Sequence, residues 1–133
     1  MASIQDARDE LNRILKELEL VIEKNPNDAP AFFKKGLALS ELGKKKDAIL
    51  AFNQAIAINP NDAYAFISKG NALSALGKNE EALLAYEQAI AINPKYADAF
   101  YFKGNALSAL GRQEEAIDAF SQAIAINPND AYA

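Results

Sequence analysis

Two pairs of adjacent glutamates are the residues whose types and spacing could support acid–base chemistry. They are Glu80–Glu81 and Glu114–Glu115, which lie 34 residues apart. Paired carboxylates can act as general acid and general base when their surroundings separate their pKa values. The sequence has no histidine or cysteine to supply a base near neutral pH, a thiolate or a transition-metal ligand. Since glutamates in a first helical turn contribute roughly 0.3–1 kcal/mol each to helix stability, we interpret both pairs as structural.

A column of serines and a short basic run are the other polar features that could serve a reaction or an anionic ligand. Ser40, Ser74 and Ser108 recur at a constant spacing, with no base nearby in sequence. The run 44–46 is three lysines at a predicted turn, and the glycines are spread along the chain rather than gathered in a phosphate-binding loop. We therefore expect no enzyme, no cofactor and no metal site.

The composition fits an ordinary protein domain with a sizeable core. Half of the 133 residues are apolar and the net charge is -4. Nucleic acids favour a basic face, and no apolar run approaches the roughly 18 residues that a membrane span needs. Residues 1–20 are charged throughout and lack the apolar segment of a signal peptide. We expect a cytoplasmic protein with no nucleic-acid partner and no membrane partner.

A 34-residue period organises the chain. The hexapeptide AIAINP occurs at 55–60, 89–94 and 123–128. A period between 20 and 50 residues is typical of solenoids and other repeat arrays. The period predicts a single domain with these parts: an N-terminal capping helix at 1–26, repeats at 27–60, 61–94 and 95–128, and the stub of a fourth repeat at 129–133.

Each repeat is predicted to contain two helices that separate at a glycine. Apolar residues step by three and four before Gly43 and again after it, which is helical spacing. Gly43, Gly77 and Gly111 stand where a helix would end with positive φ. The Asn-Pro-Asn-Asp joint between repeats stops one helix and offers Asn or Asp to cap the next. AIAINP is therefore predicted to be the end of a helix, although its local alternation resembles a strand.

The pattern resembles the tetratricopeptide repeat (TPR) family. In the second repeat the residues that carry the resemblance are Phe66, Gly70, Leu73, Ala82, Tyr86, Ala89 and Pro94. The resemblance covers residues 29–128 and implies an all-α, right-handed superhelical solenoid of antiparallel helix pairs, used as a protein-interaction scaffold. Lys35, Lys69 and Lys103 stand where the family usually has leucine. We expect these side chains to lie over the core with their ammonium groups in water.

The resemblance places the first helix of each repeat on a concave face, where a peptide or a partner helix would bind. Helical spacing selects side chains that are surplus to the core and expected to face solvent, together with two asparagines whose amides could hold a partner's backbone. The predicted peptide-binding residues are Phe33, Tyr64, Ile67, Asn71, Tyr101, Phe102 and Asn105. The alternative is that the aromatic side chains pack against a neighbouring repeat.

Some TPR domains grip a C-terminal carboxylate with a clamp of lysine, asparagine and arginine. Mapped in phase, the five clamp positions hold Phe33, Leu37, Ser68, Asp98 and Phe102. None of the five has the residue type that the clamp uses. We therefore predict that this chain has no carboxylate clamp.

Apolar residues at both ends lack evident cover. Residues 3–24 predict one long amphipathic helix, and no complete helix follows the one predicted at 114–126. The alternative function is a self-assembling unit, a homo-oligomer joined through these residues: Ile4, Ala7, Leu11, Ile117, Phe120, Ile124 and Tyr132. The sequence leaves open whether the chain is an engineered protein or a part excised from a longer array.

Overall fold

The computed structural model describes residues 3–129, and these residues form seven α-helices and no strand. The helices are α1 (Ile4–Lys24), α2 (Ala29–Glu41), α3 (Lys45–Ile58), α4 (Ala63–Ala75), α5 (Asn79–Ile92), α6 (Ala97–Ala109) and α7 (Gln113–Ile126). The chain divides between Asn61 and Asp62 into two compact units. Unit 1 contains α1–α3 and unit 2 contains α4–α7. The predicted all-α fold class is confirmed.

The helices end where the sequence predicts. α3, α5 and α7 each stop at the isoleucine before Asn-Pro, so AIAINP is helical and the strand-like alternation misleads. After α2, α4 and α6, Gly43, Gly77 and Gly111 have φ values of 81°, 79° and 78°. A residue with a side chain rarely adopts this left-handed conformation, whereas glycine does so without strain. The predicted turn within each helix pair is confirmed.

Two of the three first helices begin at an aspartate cap, and the third does not. The carboxylate of Asp28 accepts a hydrogen bond from the backbone N–H of Ala31 at 3.0 Å, and Asp62 accepts one from Tyr64 at 3.0 Å. Tyr96 takes this place before α6 and makes no side-chain capping bond. Because a capping side chain contributes typically about 1 kcal/mol, α6 begins with less local stabilisation than α2 or α4.

α1 is the long amphipathic helix that the sequence predicts. Ser3 and Asp6 form a capping box, in which each side chain accepts from the other's backbone N–H at 3.0 and 3.1 Å. The helix packs against α2, yet none of its residues is fully buried. Ile4 and Val21 are exposed. α1 therefore covers α2 while much of its own apolar side stays open.

In each helix pair a glycine of the first helix receives an aromatic ring of the second. A Cβ atom added to Gly70 would lie 2.5 Å from the ring of Tyr86, and one added to Gly104 would lie 2.6 Å from the ring of Phe120. The α2–α3 pair has the same contact. Real Cβ atoms do not approach a ring so closely, so glycine is what lets these helices pack with the ring between them.

The three lysines at the family's leucine position are half-buried, as predicted, but two of them reach a carboxylate. Lys35 Nζ lies 2.7 Å from Glu19 Oε1 in unit 1, and Lys103 Nζ lies 3.7 Å from Glu87 Oε2 in unit 2. Lys69 forms no ion pair within the part of the chain that the structure describes. Since both pairs are partly exposed, each contributes at most about 1 kcal/mol.

None of the helices formed by residues 3–129 is both long enough and apolar enough to cross a lipid bilayer.

Candidate interaction site

Four aromatic rings in unit 2 form a continuous run across α5, α6 and α7. Tyr86 of α5 stacks on Phe102 of α6, with ring centroids 5.8 Å apart and planes inclined by 22°. Phe102 meets Tyr101 edge-on at 5.6 Å, and Tyr101 lies 5.8 Å from Phe120 of α7. Each such pair adds about 0.5–1.5 kcal/mol beyond the area it buries. Tyr101 and Phe102 are half-buried, so they serve packing while part of each ring stays accessible.

Phe33, Ile67 and Tyr101 occupy the same position in successive repeats. Their side chains are more buried than the sequence predicts. Phe33 in unit 1 is half-buried against Phe52 at 5.8 Å, the counterpart of the Tyr101–Phe120 contact. Ile67 is 6% exposed, so the expectation that it faces solvent is wrong. The shorter isoleucine side chain is covered at a position where the larger rings extend beyond the core.

Asn71 and Asn105 occupy equivalent exposed positions on α4 and α6 but have different surroundings. The hydroxyl of Tyr86 donates a hydrogen bond to Oδ1 of Asn71 at 2.6 Å. Phe120, 34 residues after Tyr86, has no hydroxyl, and the amide of Asn105 makes no hydrogen bond with any residue from 3 to 129. Only the second repeat therefore fixes its asparagine by a side-chain bond.

Sequence reasoning missed the hydrogen bond of Tyr86, although a signal was present. The same position holds Phe52 in the first repeat and Phe120 in the third. A tyrosine at a position that is otherwise phenylalanine needs a hydrogen-bond partner for its hydroxyl when the ring is buried. Asn71 is the residue that meets this need.

Tyr64 lies in the first turn of α4 and is 60% exposed. Its ring meets Tyr96 edge-on, with centroids 5.2 Å apart and planes at 73°. Both rings line an open depression of about 450 Å³, together with Lys95, Asp98 and the C-terminal ends of α5 and α7. This depression offers aromatic surface and both signs of charge within unit 2.

Six of the seven predicted peptide-binding residues lie in unit 2, on two helices that contact each other, α4 and α6. They are Tyr64, Ile67, Asn71, Tyr101, Phe102 and Asn105. Phe33 lies in unit 1 on α2. Ile67 is set apart from the other five because it is buried.

Two family models, both described as Tetratricopeptide repeat, match the chain. One covers residues 29–62 and the other covers residues 67–131. Together they span more than half of the chain. The protein belongs to the tetratricopeptide repeat family. The seven helices of the described residues agree with this assignment, since they form a leading helix followed by three helix pairs.

Solved structures with the same TPR fold include two crystal structures of MamA. One is 26% identical with a TM-score of 0.83, and the match covers 96% of this chain and 77% of that chain. The other is 28% identical with a TM-score of 0.84, over 92% of this chain and 67% of that chain. The second TPR of Spaghetti (RPAP3), bound to the HSP90 peptide SRMEEVD, is 27% identical with a TM-score of 0.74, over 78% and 96%. Among curated proteins, none matches the chain.

The side of α7 that corresponds to the α6-facing side of α5 is open. Leu83 on α5, which packs against α6, is 7% exposed, whereas Ile117 at the equivalent position of α7 is 65% exposed. Ile124 is 42% exposed, and Phe120 is half-buried. Among the described residues, α7 packs against α6 alone. The exposed isoleucines therefore mark a side that a further helix would cover.

The other predicted self-association residues lie at the start of α1 or outside the described residues. Ile4 and Ala7 are exposed, and Leu11 is half-buried. Tyr132 lies outside the described residues. The helices α1 and α7 thus both expose apolar side chains, each within its own unit.

Proposed function

We propose that this TPR protein is a non-catalytic scaffold that binds a peptide or a partner helix on the face formed by the first helices of its repeats, which the family resemblance makes the concave face. The observation that carries the proposal is the arrangement on α4 and α6. Two exposed asparagines stand at equivalent positions of adjacent helices, beside the accessible parts of Tyr101 and Phe102. This combination suits a ligand with a polar main chain and apolar side chains.

The two kinds of residue have different roles in the proposed site. Apolar side chains of the ligand would cover the accessible parts of Tyr101 and Phe102, and each such contact removes apolar area from water. The amides of Asn71 and Asn105 would bind main-chain groups, because an amide offers both donors and an acceptor. Tyr64 and Phe33 would extend the contact, whereas Ile67 supports the site from the core.

Peptide binding is supported by the second TPR of Spaghetti (RPAP3), which is bound to the HSP90 peptide SRMEEVD. The clamp positions of this chain nevertheless hold two phenylalanines, a leucine, a serine and an aspartate. We therefore propose a different ligand class, one held through apolar side chains and its main chain. SRMEEVD should show no salt-dependent binding in fluorescence anisotropy, and binding that weakens as salt rises would contradict this.

A random peptide library displayed on phage tests the main proposal. Asn105→Ala removes an amide that makes no bond with any described residue, and alanine favours a helix more than asparagine does. The variant should therefore lower the affinity of selected peptides without lowering the thermal unfolding midpoint. Tyr101→Ala combined with Phe102→Ala should abolish binding. The control is Leu84→Ala, which truncates a side chain that is 64% exposed on α5, the second helix of the preceding repeat. Equal affinities for all variants, or no selected peptide, would overturn the proposal.

We propose self-assembly as a second function, because one observation favours it specifically. Ile117 is 65% exposed at a position where Leu83 is 7% exposed. An apolar side that is open at one end of a repeat array is a surface on which another copy can dock. The open apolar side chains of α1 would supply the other contact, so that α7 of one copy docks on α1 of another.

Light scattering behind a sizing column, across a dilution series, tests self-assembly. Assembly predicts a mass above that of one copy at high concentration. Ile117→Glu should then dissociate the oligomer, whereas Leu84→Glu should not, although its position is 64% exposed in the same unit. A single-copy mass at every concentration would overturn this second function and leave the first untouched.

Several expectations from the sequence stay predictions. They are the cytoplasmic location, the lack of nucleic-acid and membrane partners, and the lack of catalytic activity. The repeat boundaries at 27–60, 61–94 and 95–128 and the single-domain organisation also stay predictions.

A further inference from the structure

The position of the Tyr86 hydroxyl is fixed by packing on both sides of its ring. Tyr86 is 2% exposed. One edge of the ring lies so close to Gly70 that a Cβ there would be 2.5 Å away, and Phe102 stacks on it at 5.8 Å. The hydroxyl is therefore held in one position, 2.6 Å from Oδ1 of Asn71. Because packing holds the ring in place, the amide of Asn71 must orient its oxygen towards the hydroxyl.

The direction of this hydrogen bond fixes which atoms of Asn71 face solvent. Burial raises the pKa of Tyr86, so its hydroxyl keeps its proton at neutral pH and needs an acceptor. Oδ1 of Asn71 is that acceptor. A flipped amide would leave the phenol proton unpaired in a part-buried place, which is costly. The NH₂ group therefore points away from Tyr86, and it makes no hydrogen bond with any residue that the structure describes.

We infer that Asn71, oriented by Tyr86, is a donor-only subsite that binds a main-chain carbonyl oxygen of a peptide. The inference rests on the proposed peptide-binding function. The NH₂ group presents its donors away from Tyr86, whereas Oδ1 is turned towards the Tyr86 hydroxyl and has one of its two lone pairs engaged there. The side that a ligand meets therefore offers donors. The ligand group that fits is an acceptor such as a peptide carbonyl, and ammonium groups or N–H groups do not fit.

Asn105 provides the contrast that makes the subsite specific. Its counterpart ring, Phe120, has no hydroxyl. The Asn105 amide can therefore turn either its oxygen or its nitrogen towards a ligand, and it can bind a carbonyl and an N–H together. A bound peptide would therefore present a carbonyl oxygen to Asn71, and both a carbonyl oxygen and an N–H group to Asn105. Tyr86, which is buried, is a positioning residue and does not touch the ligand.

A reciprocal pair of variants tests the orientation without any ligand. Tyr86→Phe keeps the ring and removes the hydroxyl, and Phe120→Tyr adds a hydroxyl opposite Asn105. The NMR signals of the side-chain NH₂ groups are the measurement. We expect Tyr86→Phe to shift the Asn71 signals, and Phe120→Tyr to shift those of Asn105 towards the values of Asn71. Unchanged Asn71 signals in Tyr86→Phe would overturn the fixed orientation.

Backbone-modified ligands test the donor-only character. The probe is the tightest peptide selected from the phage library, synthesised with a single ester or a single N-methyl group at each position in turn. An ester replaces the N–H group by oxygen, so it weakens the carbonyl acceptor and also removes the donor, whereas N-methylation removes the donor alone. An ester effect that N-methylation at the same position does not reproduce therefore reports the carbonyl. We expect one ester position to lose about three- to tenfold in affinity, and this loss to disappear in Asn71→Ala. No N-methyl position should lose its effect in Asn71→Ala, whereas one should in Asn105→Ala.

The variant Tyr86→Phe links the NMR measurement to the affinities of the backbone-modified peptides. It should weaken the unmodified peptide by about two- to fivefold and make the ester effect at the Asn71 position smaller. An N-methyl effect that depends on Asn71 would overturn the inference while leaving the proposed function in place. If no peptide is selected, the proposed function itself fails, and the subsite fails with it.

Discussion

The helix pairs α4–α5 and α6–α7 share one frame but differ in what they can do. In both, a glycine receives an aromatic ring of the second helix, and a glycine with positive φ makes the turn. They differ in one hydroxyl, that of Tyr86, in one cap, that of Asp62, and in one neighbour, because α5 is covered by α6. The 34-residue period therefore fixes the frame that the two pairs share. The hydroxyl of Tyr86, the cap at Asp62 and the cover of α5 by α6 distinguish them.

The packing of α6 on α5 should give the largest difference between the two pairs in the unfolding free energy lost on truncation. Leu83→Ala empties a buried position, and such truncations cost about 2–5 kcal/mol of unfolding free energy. Ile117→Ala changes an exposed side chain and should cost less than about 0.5 kcal/mol. Urea unfolding at low protein concentration measures both. If Ile117→Ala costs as much as Leu83→Ala, then α7 is covered in solution, and a cost that grows with concentration would identify a second copy as the cover.

The glycine–ring contacts should respond alike in the two pairs. Gly70→Ala and Gly104→Ala each place a methyl group within 2.6 Å of a ring carbon, and such overpacking costs about 1–3 kcal/mol. Alanine otherwise favours a helix over glycine by about 1 kcal/mol, so any net loss reports the clash. Thermal unfolding measures it. Combining Gly104→Ala with Phe120→Leu should restore part of the loss, and a stabilised Gly70→Ala variant would contradict the contact.

Alkaline pH should separate the two pairs by a smaller effect that belongs to Tyr86 alone. Burial raises its pKa in the folded protein above the ordinary value of 10.0. Above pH 10 the unfolded chain therefore loses this proton before the folded one does, so the stability contributed by neutral Tyr86 is present below pH 10 and falls as the pH rises. The free energy of unfolding relative to Tyr86→Phe should fall by up to about 1.4 kcal/mol per pH unit. A constant difference from pH 9 to 11 would show that the phenol ionises freely.

The sequence predicted the frame because the frame depends on residue types with one conformational meaning. Glycine at Gly43, Gly77 and Gly111 permits positive φ, and Asn-Pro stops a helix wherever it occurs. Three copies in phase outweighed the strand-like alternation of AIAINP. The exposure of Ile117 and Ile124 on α7 agrees with the sequence expectation that these apolar side chains lack cover.

The details of the candidate site depend on side-chain reach, which a helical period does not specify. The period placed Ile67 on the same face as Phe33 and Tyr101, but it could not tell that a shorter side chain at this position is covered. It marked Asn71 and Asn105 as equivalent, although a hydroxyl fifteen residues later distinguishes them. The close packing of the Tyr86 ring against Gly70 places that hydroxyl beside Asn71.

The single neighbour of α7 has a consequence for motion. Within unit 2, α5 and α6 each pack against two or more helices, whereas α7 packs against α6 alone among the helices of residues 3–129. In a repeat array, where stability is close to a sum of nearest-neighbour terms, the helix with one interface opens most often. The backbone amides of α7 will then exchange with deuterated solvent sooner than those of α5, although nine of the fourteen residues are identical in the two helices. Any molecule that covers Ile117 and Ile124 will slow this exchange, so α7 itself reports on occupancy of the open end.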